Sequence, residues 1–423
     1  NAFFLAQING LDDTVSVQGR IRAGIAFNPD KQPLAQLCAS MLKKGCEAYS
    51  KSELDEALGQ LGSSIDFQVG MDNLTFSVRC LQEHLSATLD ILVAVLKQPS
   101  FPDDEFEKLK RQRVGRLKQR LDSPDAMAYD ELYRALYPKD HYHYQDTVED
   151  LIAATEATSL EAVKAFYDTY YGVESMTVAF VSALAPEPWR QRFANDYGQW
   201  NPRSHALKDY PEITPAATSA RSIYPMPDKA SVSVVMGHTS TLKRTDKDYY
   251  AAMLANHVLG QSSLSSRLGV KVRDDLGLTY GIYSFFADVN RFSGPWVLSV
   301  TTHPDNVEQA ITASLAVVKE TVSNGLTEQE LEEAKSSLIG SYLVHLTTYP
   351  EIASRLLQIE QYQLGLDYFK TRAAALQKVT LADVKNALQK YIHPEAMHIA
   401  LAGPVTETAD ANAHGSPAPK ETE

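Results

Sequence analysis

Residues 264–281 read LSSRLGVKVRDDLGLTYG. Leu264, Leu268 and Val272 recur at helical spacing, so the run up to Asp275 is predicted helical with these three on one face. Gly277 stands where a helix ends in a left-handed cap. From Leu278 the pattern changes, and Thr279, Tyr280, Ile282 and Tyr283 predict a strand reaching Asp288. The reversal thus carries a guanidinium, Arg273, in the last helical turn and a phenol, Tyr280, at the start of the strand. A tight turn between them points both side chains into one space. A permanently charged five-donor fork beside a hydroxyl donor suits an anionic or carbonyl oxygen. Two commonplaces explain the pair as well: the helix dipole favours Arg in a last turn, and Tyr is frequent in strands. Spacing alone leaves both readings open.

Outward from this stretch the chain repeats itself. SLEAVKAFYDTYYGVESMTVAFVSA from Ser159 aligns without gaps to TLADVKNALQKYIHPEAMHIALAGP from Thr380, matching Leu160 to Leu381, Val163 to Val384, Tyr170 to Tyr391 and Met176 to Met397. PDDEFEKLKRQRVG from Pro102 likewise aligns to TEQELEEAKSSLIG from Thr327. Offsets of about 220 residues imply duplication of one domain, too large a period for a solenoid repeat. Each copy reads as strands followed by long helices, giving an α+β fold of two homologous domains. In each, a mostly antiparallel sheet carries helices on one side. The boundaries fall at 1–202 for the first repeat, 203–220 for a proline-rich linker, 221–405 for the second repeat and 406–423 for an acidic tail expected to be disordered.

Within the first repeat, Pro33 opens a helix that Gly45 closes, and Ser52 begins a capping-box pattern for the next. Asp103 to Leu121 is a longer helix bearing Lys108, Lys110, Arg111, Arg113, Arg116, Lys118 and Arg120, read as a solvated or inter-domain face. His141 and His143 form the one close histidine pair, read as a hydrogen-bonded surface loop in preference to a metal site. The serine-rich run 262–266 reads as helix capping and a tight loop, not a nucleophile cluster.

Composition narrows the class. At 423 residues, with 44% hydrophobic and 22% charged residues, the chain is globular and long enough for two cores. A formal charge of −13 argues against a nucleic-acid surface and favours neutral or basic partners. No apolar run approaches the roughly 18 residues of a membrane helix. Cys38, Cys46 and Cys80 form neither a C-x-x-C pair nor an even disulfide set. No P-loop, G-x-G-x-x-G or G-x-S-x-G motif is present.

The segment SRLxxxVRDDLGLTY resembles the R-E-x-x-G-L-x-Y segment of the pitrilysin/insulinase (inverzincin) zinc peptidases, whose Arg and Tyr contact the substrate and stabilise the tetrahedral oxyanion. The two-repeat plan resembles one half of such an enzyme, a processing-peptidase-like half-clamshell, so the likeness covers nearly the whole chain. Family members bind zinc through H-x-x-E-H on the first helix after the opening strands, with a further Glu downstream. The matching stretch here is PLAQLCASM. Gln36 stands for the first His, Ala39 for the Glu, Ser40 for the second His, and the downstream ligand falls on Arg116. The resemblance therefore implies a half that holds no zinc or other cofactor. Arg273 and Tyr280 would complete a site whose zinc sits in a homologous partner half, either a separate subunit or an upstream part of the same polypeptide. An extended peptide would be the substrate. The alternative is a non-enzymatic scaffold or peptide-binding subunit that keeps the fold. The start at Asn1 and the family's bacterial members imply processing and a periplasmic or otherwise exported protein, with the cytoplasm as the alternative compartment.

Overall fold

The computed structural model describes residues 2–7, 13–28, 33–202, 211–216, 219–289 and 293–405. The tail expected over 406–423 lies outside these residues, as does most of the linker read over 203–220. Two five-stranded sheets organise the chain. The first contains β1 (Ala2–Gln7), β2 (Thr14–Ile21), β3 (Ser64–Val69), β4 (Leu74–Leu81) and β5 (Thr177–Ser182), in the order β1-β5-β2-β4-β3. The second contains β6 (Ala220–Pro225), β7 (Val232–His238), β8 (Thr279–Phe286), β9 (Trp296–Thr302) and β10 (His398–Gly403), in the order β6-β10-β7-β9-β8. The orders are identical once each number is shifted by one repeat. In both sheets only the outermost pair, β1 with β5 and β6 with β10, runs parallel. The duplication read from the sequence is thus a duplication of topology, and the mostly antiparallel α+β reading holds.

The chain divides into two compact units, each assembled from three stretches: 1–119, 147–210 and 338–373 in one, 120–146, 211–337 and 374–423 in the other. The repeats exchange one helix. Helix α1 (Asp103–Arg120) leads into α2 (Pro124–Leu136), and α3 (Glu328–His345) leads into α4 (Tyr349–Gln361). Each second helix leaves the sheet of its own repeat. Helix α4 lies on the first sheet, where Ala353 and Leu357 pack on Ala179 and Val181 of β5. The opposite face of β5 carries Phe180, stacked on Trp189 with ring centroids 5.9 Å apart. Beyond the one-sided helix layer expected from the sequence, α4 therefore covers the other face. Polar residues seat it: Gln18 Nε2 donates to Pro350 O at 2.9 Å, Arg20 pairs with Glu360, and the Thr177 hydroxyl donates to Glu360 at 3.3 Å. Helix α2 takes the equivalent place in the second unit, where Ser233 Oγ of β7 donates to Asp125 at 3.2 Å.

Local signals account for most helix ends. Ser123 caps α2 by accepting from Ala126 N, with Pro124 in its first turn. The capping box expected at Ser52 is instead formed by Ser50 with Glu53, because the chain leaves extended geometry two residues earlier. The pair His141 and His143 also differs from expectation. Both are buried, at 6% and 0% exposure, in a stack of aromatic rings. Tyr137 stacks on His141 with centroids 4.6 Å apart and lies 5.0 Å from His143. Burial pulls the imidazoles down, to about 4 for His141 and about 3 for His143. Neutral rings packed in this way belong to the core. Among the described residues no helix is long and apolar enough to cross a membrane.

Candidate functional site

The motif stretch lies in the second unit, and its register is set from beneath. Asn256 ends the helix Tyr249–Asn256 and is anchored through both ends of its amide. Its Nδ2 donates to Ser284 O at 2.8 Å, while its Oδ1 accepts from Ser284 Oγ and Trp296 Nε1, both at 2.9 Å. The chain then widens into a π-turn, His257–Gln261, and after a serine loop into a second, Gly269–Asp275. Single π-turns of this kind cluster at functional sites. Serine hydroxyls hold the loop as expected: Ser262 Oγ accepts from Leu264 N and Ser265 N, and Ser266 Oγ from Gly269 N. At Gly269 a Cβ would lie 2.4 Å from Ser263 O, so only glycine lets the two turns close. Leu268 and Val272, expected on one helix face, are fully buried. Leu264 is not: it is 64% exposed, because the serine loop occupies 262–266 and helical winding begins only at Arg267.

Arg267 is fixed by Glu330 of α3 through two bonds of 2.7 Å, and its Nη1 reaches Thr321 Oγ1 at 3.2 Å. Burial alone would raise the Glu330 carboxyl. Arg267 and the Thr327 amide and hydroxyl more than offset that and hold it at about 2, against an ordinary 4.5. A carboxyl depressed on folding stabilises the protein at pH above its unfolded value, and that contribution is lost as pH falls. Unfolding free energy is therefore expected to drop between about pH 4.5 and pH 2. In Glu330→Gln this part of the acid slope should be missing, as measured by urea titration at a series of pH values. A slope unchanged by the substitution would contradict the assignment.

Gly277 ends the segment at φ +63°, in the left-handed region. Gly277 N donates to Arg273 O at 3.1 Å and Leu278 N to Val272 O at 3.0 Å. Each bond spans one residue more than in an α-helical Schellman ending, in keeping with the π winding. The strand that follows is disturbed where it begins. Its register against β9 shifts between Thr279 and Ile282, and Thr279 Oγ1 donates to Thr301 O at 2.6 Å and accepts from Gly281 N at 3.0 Å. A bulge of this kind re-aims a side chain. Here it turns Tyr280 out of the sheet, leaving it 98% exposed.

Arg273 and Tyr280 line one cavity of about 800 Å³, together with Ser231, Thr301, His303 and Asn306. Arg273 Nη1 meets Asp274 Oδ1 at 3.1 Å, and its side chain is 30% exposed. The other guanidinium donors and the Tyr280 hydroxyl enter no hydrogen bond among the described residues. The cavity thus presents cationic and hydroxyl donors to an incoming oxygen. His303 and Asn306 were not singled out from the sequence. The run H-P-D-N after β9 marks a helix start, and their place in the cavity comes only from the end of β9 lying beside β8.

Gln36, Ala39 and Ser40 share the helix Leu34–Met41 in the first unit. Asn28 Nδ2 donates to Gln36 Oε1 at 3.4 Å, Ser40 Oγ donates back to Gln36 O at 2.8 Å, and Ala39 is buried. Arg116 is exposed on α1. None of these four offers a zinc ligand. Among the described residues no group of three or more His, Cys, Asp or Glu is placed to hold a metal ion.

Two family descriptions match the chain in sequence: "Insulinase (Peptidase family M16)" over residues 5–145 and "Peptidase M16 inactive domain" over residues 157–338. The chain belongs to the M16 family. It is 22% identical over 382 residues to the "uncharacterized zinc protease YmxG" of Bacillus subtilis, covering 89% of each chain. To the "non-peptidase homolog YmxG" of Helicobacter pylori it is 23% identical over 363 residues, covering 85% of this chain and 81% of that one. Among solved structures it is similar to a peptidase M16 inactive domain from Pseudomonas fluorescens, with a TM-score of 0.86 and 24% identity over 96% of this chain and 95% of that one. At these identities the structural likeness carries the M16 fold. The match to the inactive-domain description covers the whole Arg273–Tyr280 stretch.

Proposed function

We propose that this chain is the non-zinc-binding half of a two-part M16 peptidase, completing with Arg273 and Tyr280 an active site whose metal lies in a homologous partner. The observation that carries the reading is the cavity in which both side chains stand with donors unspent. Zinc in the partner half would polarise the scissile carbonyl and activate water. In this chain Tyr280 donates to the oxygen as it becomes an oxyanion, and the Arg273 fork holds a carbonyl or carboxylate of the extended peptide. The partner is a separate subunit or an upstream part of the same polypeptide, and the pair works in the periplasm or another exported compartment.

The reading predicts that the purified chain carries zinc far below one equivalent by elemental analysis and cleaves no peptide. Adding the zinc-bearing half should produce cleavage that a chelator abolishes. Stoichiometric zinc in the isolated chain would overturn the assignment at Gln36, Ala39, Ser40 and Arg116. The second reading, a scaffold that keeps the fold without chemistry, draws support from the name of the Helicobacter relative. It predicts that cleavage by the pair is indifferent to Tyr280.

A further inference from the structure

The segment Gly269–Asp275 borders a second cavity. Arg273 and Asp274 face the first, while Val270, Lys271 and Asp275 line another of about 740 Å³, walled by the helix Val307–Asn324 and by α3. This volume falls in the range of roughly 300–1,000 Å³ typical of binding sites. Its apolar wall is made of small or short side chains, Ala313, Ala316, Val317 and Ala334 among them. Val270 is 45% exposed there, an apolar side chain left uncovered by its own fold.

The charges around this wall do not cancel. Arg267 is matched by Glu330, and Lys271 by Asp275 at 3.2 Å. Glu320 and Glu333 also line the cavity, both exposed, and neither enters an ion pair among the described residues. An anion is repelled from such a site. A lysine or arginine suits it, because its aliphatic stem covers alanine and valine surface while its head reaches the two carboxylates. The overall charge of −13 adds long-range attraction for a basic segment.

We infer that this cavity is an exosite for a peptide segment carrying a lysine or arginine among small apolar residues. The inference uses neither Arg273 nor Tyr280, and it stands whether or not the chain completes a peptidase site. The test is fluorescence anisotropy of the full chain, without any partner, against a fluorescein-labelled heptapeptide with one central arginine among alanines and leucines. Saturable binding is expected, and replacing the arginine by norleucine should abolish it. Glu320→Gln with Glu333→Gln should weaken binding about tenfold, the combined worth of two exposed charge contacts. Ala316→Trp should remove binding by filling the cavity. Circular dichroism confirms the fold of each variant, and the carboxamide pair decides the matter where the tryptophan variant misfolds. Absence of saturable binding, or binding indifferent to the carboxamide pair, overturns the inference.

Discussion

Tyr280→Phe is expected to lower peptide cleavage by this chain and its zinc-bearing half by about 10²–10³, the usual cost of deleting one oxyanion donor. The substitution removes a single oxygen from a ring that is 98% exposed, so the fold should be untouched. Surface changes of this kind move stability by within about 0.5 kcal/mol, and circular dichroism with thermal unfolding checks it. The split between constants is also specified. A hydrogen bond made only in the transition state lowers kcat and kcat/KM together. Arg273→Lys keeps the charge but loses the fork, and should act mainly through KM if the guanidinium holds a ground-state carbonyl or carboxylate. A rate unchanged in Tyr280→Phe would make the phenol a relic and move the chain to the scaffold reading.

The parts of this site differ in how far the sequence announces them. Leu268, Val272 and Gly277 declare a buried helical stripe and its left-handed end, and the structure has both. The π winding is silent, since it depends on Asn256 docking against Ser284 and Trp296 of the strands and on Gly269 closing onto the Ser263 carbonyl. The exposure of Tyr280 is half legible. Gly281 inside a strand pattern is a bulge signal, but the shift itself is fixed by Thr279 bonding across to Thr301. The repeat was open to alignment, whereas the exchange of helices was not. In VSVQGRI the alternation of Val17 and Ile21 with Gln18 and Arg20 reads as a strand with one wet face. That face is in fact covered by α4, whose Pro350 carbonyl and Glu360 carboxylate receive the polar groups. The histidines of DHYHY mislead for a related reason. Polar residues in a turn suggest the surface, but the tyrosines around them supply enough ring area to bury both.

The largest expected loss of stability follows from that covered face. Arg20 and Glu360 lie 340 positions apart in sequence and meet within one compact unit, with side chains 11% and 26% exposed. Burial draws the Arg20 guanidinium below its ordinary pKa, and Glu360 is the main group opposing this. Removing one partner of such a pair strands the other charge away from water, at a cost of about 3–5 kcal/mol when both are buried. Glu360 keeps partial access to solvent, so Glu360→Ala should cost on the order of 3 kcal/mol, the lower end of that range. Urea unfolding should show it as a lower midpoint at constant slope. Arg20→Met combined with Glu360→Leu should recover most of the loss, because apolar side chains of similar volume satisfy a dry interface without needing a counter-charge. The coupling between the two sites is then the measured quantity. Additive losses in the double variant would mean that α4 does not rest on β2 in solution, and the exchange of helices between repeats would fall with it.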